Sequence, residues 1–186
     1  MTFLKKYIKI LGLHAICSIG SLLMVMMFPG LIDFTLGEVL YSFLAIVVFF
    51  DLLYTFSWNL ANKKMKHIKI QNNHLNPGEE PKKLSYSEGA LLGLVHCAVC
   101  AAFCALSFAF SKDNSGVSVA LYRGWFCEFI VAFKHGESNV HLVSYAVALF
   151  TFVPIMLGYI GGAKNNNFIE AFMNKLIYKS NREKKQ

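Results

Sequence analysis

Charged residues are scarce in this sequence. Asp, Glu, Lys and Arg make up only 16% of the 186 residues, whereas hydrophobic residues make up 55% and Phe alone occurs 17 times. This composition is too apolar for most soluble domains and favours a chain that is solvated by lipid. The length suits one compact unit.

Catalytic and nucleic-acid-binding patterns are also missing from the sequence. It contains no internal repeat, no nucleotide-binding glycine motif and no nucleophile elbow. A formal net charge of +7 could indicate a nucleic-acid partner, but the basic residues lie in short stretches beside apolar runs. No recognised nucleic-acid-binding motif contains them. We therefore expect no soluble catalytic domain, no cofactor and no nucleic-acid partner.

The sequence lacks the cysteine pattern of a disulfide framework. It has five cysteines, an odd number, and four of them lie inside apolar runs. Small secreted domains place paired cysteines in loops instead. A disulfide scaffold is therefore not expected.

What the sequence does contain is four long apolar runs. Crossing ~30 Å of hydrocarbon takes about 20 mostly apolar residues in a helix, and the runs 8–28, 39–60, 90–110 and 142–160 have that length. The first resembles a secretory signal, but no small-x-small cleavage site follows it, so we expect an uncleaved span. The sequence predicts an all-α fold, an integral membrane four-helix bundle, with residues 1–186 forming a single membrane domain.

Basic residues lie beside alternate ends of these runs. The amino end carries three, the loop after the second run six and the tail six, which is fifteen of the 18 in the chain. The first loop has none, and the three in the third connection are balanced by three acidic residues. Because positively charged loops stay in the cytoplasm, we predict a multi-pass protein of the cell membrane with both the N- and C-termini cytoplasmic.

Two further helices are predicted outside the spans. Residues 117–133 are almost long enough to cross, but Arg123 and Glu128 would each be costly near a helix centre. We expect an outer interfacial helix there, or a partly inserted one. Residues 166–179 have apolar residues at helical spacing among basic ones, which predicts an amphipathic helix on the inner surface of the lipid bilayer. A helix that docks to a partner is the alternative.

Ionisable residues inside the spans are the candidate functional residues. Asp51 needs a partner, because an ionisable group within a span is costly unless it is neutral, paired or hydrated. His14 and His96 lie at a similar depth, roughly 9 to 14 Å from the cytoplasmic end of their spans. Asn59 shares the helix face of Asp51. We expect these four residues to form an intramembrane polar cluster, which is either a structural fastener or a proton-linked or ligand-binding site.

A second pattern resembles a metal or redox site. His96 is followed by Cys97, Cys100 and Cys104, and thiolates with an imidazole can bind zinc or copper. The same cysteines also serve as small apolar residues that let helices pack closely, so we predict no metal and keep this group as a weak candidate. A thiol relay that includes Cys127 is a further alternative.

The function these features favour is that of a non-enzymatic accessory or assembly subunit, or a small scaffold, in contact with another membrane protein or with further copies of itself. The alternative is a small oligomeric transporter or proton-coupled carrier that uses the Asp/His cluster. Four helices enclose little room for a pathway, so such a carrier would work as an oligomer. A membrane enzyme is less favoured, because no nucleophile and base pair is visible.

Overall fold

The computed structural model describes residues 2–27, 35–76, 78–110, 124–129 and 140–165. These residues are predominantly helical and include no strand, which confirms the predicted all-α class. The helices are α1 (Phe3–Met27), α2 (Thr35–Asn72), α3 (Ser87–Phe110), α4 (Val140–Phe150) and α5 (Phe152–Ala163), with a single 3-10 turn at Cys127–Phe129. The predicted amphipathic helix over 166–179 lies outside the described residues.

Four helical stretches are long and apolar enough to cross a membrane. They are Phe3–Met27, Leu40–Asn72, Ser87–Ala109 and Leu142–Ala163, in agreement with the four apolar runs. The second continues twelve residues beyond the predicted end at residue 60. Residues 61–72 contain four Lys and no Gly or Pro, so they extend the helix although they are too polar for lipid.

The fourth stretch consists of α4 and α5 with an interruption at Thr151. Pro154 has no N–H to donate to the carbonyl four residues earlier, and its ring crowds that carbonyl. The Thr151 hydroxyl donates to the Ala148 carbonyl over 2.7 Å, and its N–H donates to the Val147 carbonyl over 3.3 Å. Thr151 thus supplies hydrogen bonds where proline disturbs the helix.

Contacts between helices show that the four stretches alternate in direction. α1 and α3 are parallel, because Lys6 contacts Glu88 and His14 contacts His96. α2 and α5 are also parallel, because Tyr54 lies against Gly158 and Trp58 against Gly162. α3 and α5 are antiparallel, because Gly89 lies against Tyr159 and Gly93 against Phe152. One end of the molecule therefore holds the starts of α1 and α3 and the ends of α2 and α5; we call it the basic end, because Lys5, Lys6, Lys63, Lys64 and Lys164 lie there.

Two glycines of α5 bring its backbone into close contact with α2. A Cβ atom at Gly158 would overlap the carbonyl oxygen of Tyr54, and one at Gly162 would overlap the carbonyl oxygen of Trp58. Two glycines four residues apart present a flat helix surface, a spacing that permits backbones to touch within a membrane. This contact sets the rotation of α2 about its axis and turns Tyr54, Ser57 and Ala61 toward α5.

The segment between the third and fourth stretches enters the bundle. Of the predicted helix over 117–133, the structure describes residues 124–129, and these pack against α1 and α2. Phe126 and Cys127 are fully buried, and Glu128 is 1% exposed. These six residues therefore lie among the helices, with Glu128 beside the Ser18 hydroxyl of α1, while the depth of the segment in the membrane stays a prediction.

Candidate functional site

The two predicted histidines meet in the middle of the bundle. Nδ1 of His14 lies 3.1 Å from Nε2 of His96, and neither side chain is exposed. Both lie about 14 to 16 Å along their helices from the basic end, at ~1.5 Å per residue. Equal depth on two parallel helices therefore brings them together, as the sequence predicted.

The inserted segment fixes the protonation of this pair. Nε2 of His14 lies 3.2 Å from the carbonyl oxygen of Trp125. A carbonyl oxygen only accepts, so Nε2 of His14 carries the proton and its Nδ1 accepts from Nε2–H of His96. Nδ1 of His96 is buried and has no hydrogen-bond partner among the described residues.

Aromatic rings close off the histidine pair. The rings of Phe49, Trp125 and Phe126 have centroids 5.1, 4.8 and 5.4 Å from that of His14. They come from α2 and from the inserted segment. The pair is thereby enclosed by apolar groups, which increases the importance of each polar contact it makes.

Cys100 is the third polar group at this point. Its Sγ atom lies 4.0 Å from Nδ1 of His14 and 3.9 Å from Nε2 of His96, one helical turn after His96. Together the three residues form the group of possible metal ligands found in the described part of the chain, with ligand atoms within 4.8 Å of one another. We call His14, His96 and Cys100 the histidine–cysteine centre.

This centre overlaps only in part with the weak metal candidate of the sequence. His96 and Cys100 belong to it, whereas Cys104 is aimed at the carbonyl of Ser144, 3.8 Å away, and Cys97 is half-buried outside the group. His14 takes the place of those two cysteines. Sequence spacing along one helix missed this ligand, although the matching depth of His14 and His96 indicated it.

Glu128 adds a carboxyl group beside the centre. The Ser18 hydroxyl lies 2.6 Å from the Trp125 carbonyl oxygen and 3.2 Å from Oε1 of Glu128. Burial raises the pKa of Glu128 to about 7, while hydrogen bonds from its own backbone N–H and from Ser18 act to lower it. Its second oxygen has no partner among the described residues. The inserted segment therefore carries a carboxyl group that is readily protonated.

Asp51 and Asn59 do not join the histidines. Both side chains are exposed on α2, and Asp51 accepts a hydrogen bond of 3.2 Å from Thr55, which is also exposed. The expected meeting of Asp51 with His14 and His96 is thus absent. The reason is the rotation of α2, since its contact with α5 turns this face out of the bundle.

Asp51, Thr55 and Asn59 instead form an outward row at four-residue intervals, which we call the polar stripe. Residues with this spacing lie above one another on a helix surface. The side chains beside it toward the start of α2, Leu44 and Val48, are exposed and apolar. A short polar patch therefore interrupts an apolar helix face.

Glu88 joins all four stretches near the basic end. It forms ion pairs with Lys6 and Lys64, the second at 2.7 Å, and accepts a hydrogen bond of 2.9 Å from Tyr159. Ser85 and Glu88 have the spacing of a capping box, but Ser85 Oγ accepts from the N–H of Ser87 over 3.2 Å and the Glu88 carboxylate turns to other helices. No local pattern indicates the three distant partners of Glu88.

No protein-family model, curated protein or solved structure matches this chain. Its function is therefore inferred from the geometry of its own residues. That geometry provides two separate features, a buried histidine–cysteine centre and an exposed polar stripe.

Proposed function

We propose that the protein crosses the cell membrane four times, with both ends in the cytoplasm. Two observations support this orientation. The alternating directions of the four stretches gather the amino end, the last turns of α2 with the loop after them, and the end of α5 at the basic end. Fifteen of the 18 Lys and Arg residues lie in these segments or in the tail that follows α5, and positively charged segments stay on the cytoplasmic side.

We further propose that it acts as a non-enzymatic accessory or assembly subunit of another membrane protein. The polar stripe is the observation that carries this proposal. Asp51 lies near the middle of the apolar run 39–60 and is exposed. An ionisable group that faces lipid at that depth costs about 2.5 to 3.5 kcal/mol or more. A partner helix that covers the stripe removes this cost by supplying hydrogen bonds.

The limited extent of the stripe favours one specific partner helix. Thr55 occupies one oxygen of Asp51, so the carboxyl group and the amide of Asn59 retain capacity for further hydrogen bonds. Exposed Leu44 and Val48 on the same face supply apolar contact on one side. The matching surface is a transmembrane helix of another protein with polar donors over about two turns.

The test is co-purification from the native membrane in mild detergent. Wild-type protein is expected to carry a membrane partner at a fixed stoichiometry, and Asp51→Leu is expected to lose it. Val48→Ala is the matched control, because it changes the same face without touching the stripe. Partner recovery that is equal for Asp51→Leu and Val48→Ala would refute the proposal.

The alternative, a small oligomeric proton-coupled carrier, is favoured by the same outward position of Asp51. Two copies that met through their polar stripes would place both carboxyl groups at the interface, so a pathway would run between copies. Reconstituted liposomes separate the two functions. Solute uptake by the protein alone that disappears with Asp51→Asn supports the carrier and overturns the accessory subunit.

A further inference from the structure

We propose that His14, His96 and Cys100 form a binding site for one monovalent copper ion. The three residues converge from α1 and α3 on a single buried point, and they offer two imidazole nitrogens and one thiol sulfur. This inference does not depend on the polar stripe or on the accessory function. It concerns the interior of the bundle instead.

The distances suit three ligands around one ion. With metal–nitrogen bonds of ~2.0 Å and a metal–sulfur bond of ~2.3 Å, a trigonal site separates the nitrogens by ~3.5 Å and each nitrogen from sulfur by ~3.7 Å. The observed separations are 3.1 Å between the nitrogens and 3.9 and 4.0 Å to sulfur. Adjustments of a few tenths of an ångström, within the freedom of side-chain torsions, convert one arrangement into the other.

A hydrogen bond to the Trp125 carbonyl orients His14 as a metal ligand. Metal-binding histidines usually donate their second ring N–H to a carbonyl or carboxylate group, which orients the ring. Nε2–H of His14 already makes such a bond to the Trp125 carbonyl, so its Nδ1 lone pair faces the other two ligands. Trp125 belongs to the inserted segment, which therefore has the role of positioning His14.

His96 needs a change of tautomer, and the proton count balances. Its Nε2–H donates to His14 in the metal-free pair, so on metal binding this proton moves to Nδ1, which is buried without a partner among the described residues. The Cys100 thiol loses its proton as the copper–sulfur bond forms. One Cu⁺ ion is thus taken up and one proton is released.

Charge and ligand number select copper over zinc. Soft thiolate ligands favour Cu⁺, and Cu⁺ with one thiolate is neutral, whereas Zn²⁺ with one thiolate is positively charged and would require the buried Glu128 beside the centre to ionise. Burying an uncompensated charge is costly. In the described part of the chain no fourth His, Cys, Asp or Glu joins the group, so the four-coordinate geometry that zinc prefers lacks a protein ligand.

The experiment is a Cu⁺ titration of the full chain in detergent under argon, with a colorimetric copper chelator as competitor. Wild-type protein is expected to bind one Cu⁺ per chain, with a thiolate-to-copper absorption band. Cys100→Ser and His14→Asn are expected to lose stoichiometric binding. Cys104→Ser is the matched control, because it lies one turn further along the same buried face and is expected to bind normally.

Three outcomes would overturn the copper site: no binding by the wild type, equal binding by Cys100→Ser, or retention of one Zn²⁺ in preference to Cu⁺. Helical circular dichroism and gel filtration check the fold of each variant. X-ray absorption of copper-loaded wild type gives an answer without any variant, since it must report one sulfur and two nitrogen neighbours. A spectrum without sulfur would overturn the assignment.

Discussion

At the scale of single residues, Glu128 illustrates how the chain accommodates a carboxyl group among apolar side chains. It is 1% exposed, and the Ser18 hydroxyl lies 3.2 Å from its Oε1. In the sequence, Glu128 argued against a crossing by residues 117–133, because a charged carboxylate in lipid is costly. The cost is smaller in the observed arrangement, since the group lies inside the protein and burial favours its neutral form.

Stability is expected to depend on pH through Glu128. Its pKa is about 7 in the folded protein against 4.5 as the ordinary value, so between these values the folded state binds more protons than the unfolded state. Stability from this group is therefore complete below pH 4.5 and falls as pH rises toward 7, by on the order of 3 kcal/mol. Thermal unfolding in detergent at pH 5 and pH 8 measures the change.

Glu128→Gln is expected to flatten this pH dependence, because an amide does not ionise. Glu80→Gln, a change in the exposed loop after α2, serves as the matched control and should leave the dependence unchanged. If the difference in melting temperature between pH 5 and pH 8 is the same in Glu128→Gln as in wild type, the buried carboxyl group is not its source.

The sequence predicted contacts that depend only on the height of a residue along its helix. It did not predict contacts that depend on the rotation of a helix about its axis. His14 and His96 meet because two parallel helices carry them at equal heights, and helix rise gives that height from the sequence. Asp51 has a similar depth, but its direction follows from the contact of α2 with Gly158 on a distant helix. Cys100 was predicted as a ligand together with His96, but His14 was missed in that group because it lies on α1.

At the scale of helices, hydropathy predicts the apolar stretches well and their ends poorly. The run 142–160 agrees with Leu142–Ala163 to within a turn, because lipid sets a minimum apolar length. α2 ends at Asn72 rather than at residue 60, because residues 61–72 still favour a helix although they are no longer apolar. The sequence left the packing of residues 124–129 among the helices open, because the partners of this segment lie on α1 and α2.

The contact between α2 and α5 is expected to be the most sensitive to added volume. Gly158→Ala puts a methyl group against the Tyr54 carbonyl and the Ser57 side chain, and overpacking of this kind typically costs 1 to 3 kcal/mol, roughly. We expect a lower melting temperature in detergent for this variant.

Gly20→Ala is the control, because an added methyl group there meets nothing within 4 Å. It is expected to leave the melting temperature unchanged or to raise it slightly, since alanine favours helix. Equal melting temperatures for the two variants would contradict the close packing of α5 on α2.

At the scale of the whole molecule, the basic end predicts which segments are shielded from the outside. Cysteines introduced at Lys82 and Lys164, both exposed in the structure, are expected to resist a membrane-impermeant thiol reagent in intact cells and to react after permeabilisation. Asp33→Cys, in the first loop, should react in intact cells. Labelling of Lys82→Cys before permeabilisation would reverse the proposed orientation.

The native cysteines leave this measurement nearly free of background. Cys17, Cys100, Cys104 and Cys127 are buried and Cys97 is half-buried, so the unmodified chain should react weakly under the same conditions. The parent protein therefore serves as the baseline against which each introduced cysteine is compared.

The length of α2 has a consequence for the region after it. Its last twelve residues rise about 18 Å beyond the apolar run, while a headgroup layer is only about 5 to 8 Å thick. In the proposed orientation α2 holds the turn that joins Asn72 to Lys82 clear of the lipid surface, whereas Leu84 packs back at the level of Ala61. Water-soluble enzymes such as proteases and kinases thereby gain access to that turn from the cytoplasm, whereas lipid headgroups do not reach it.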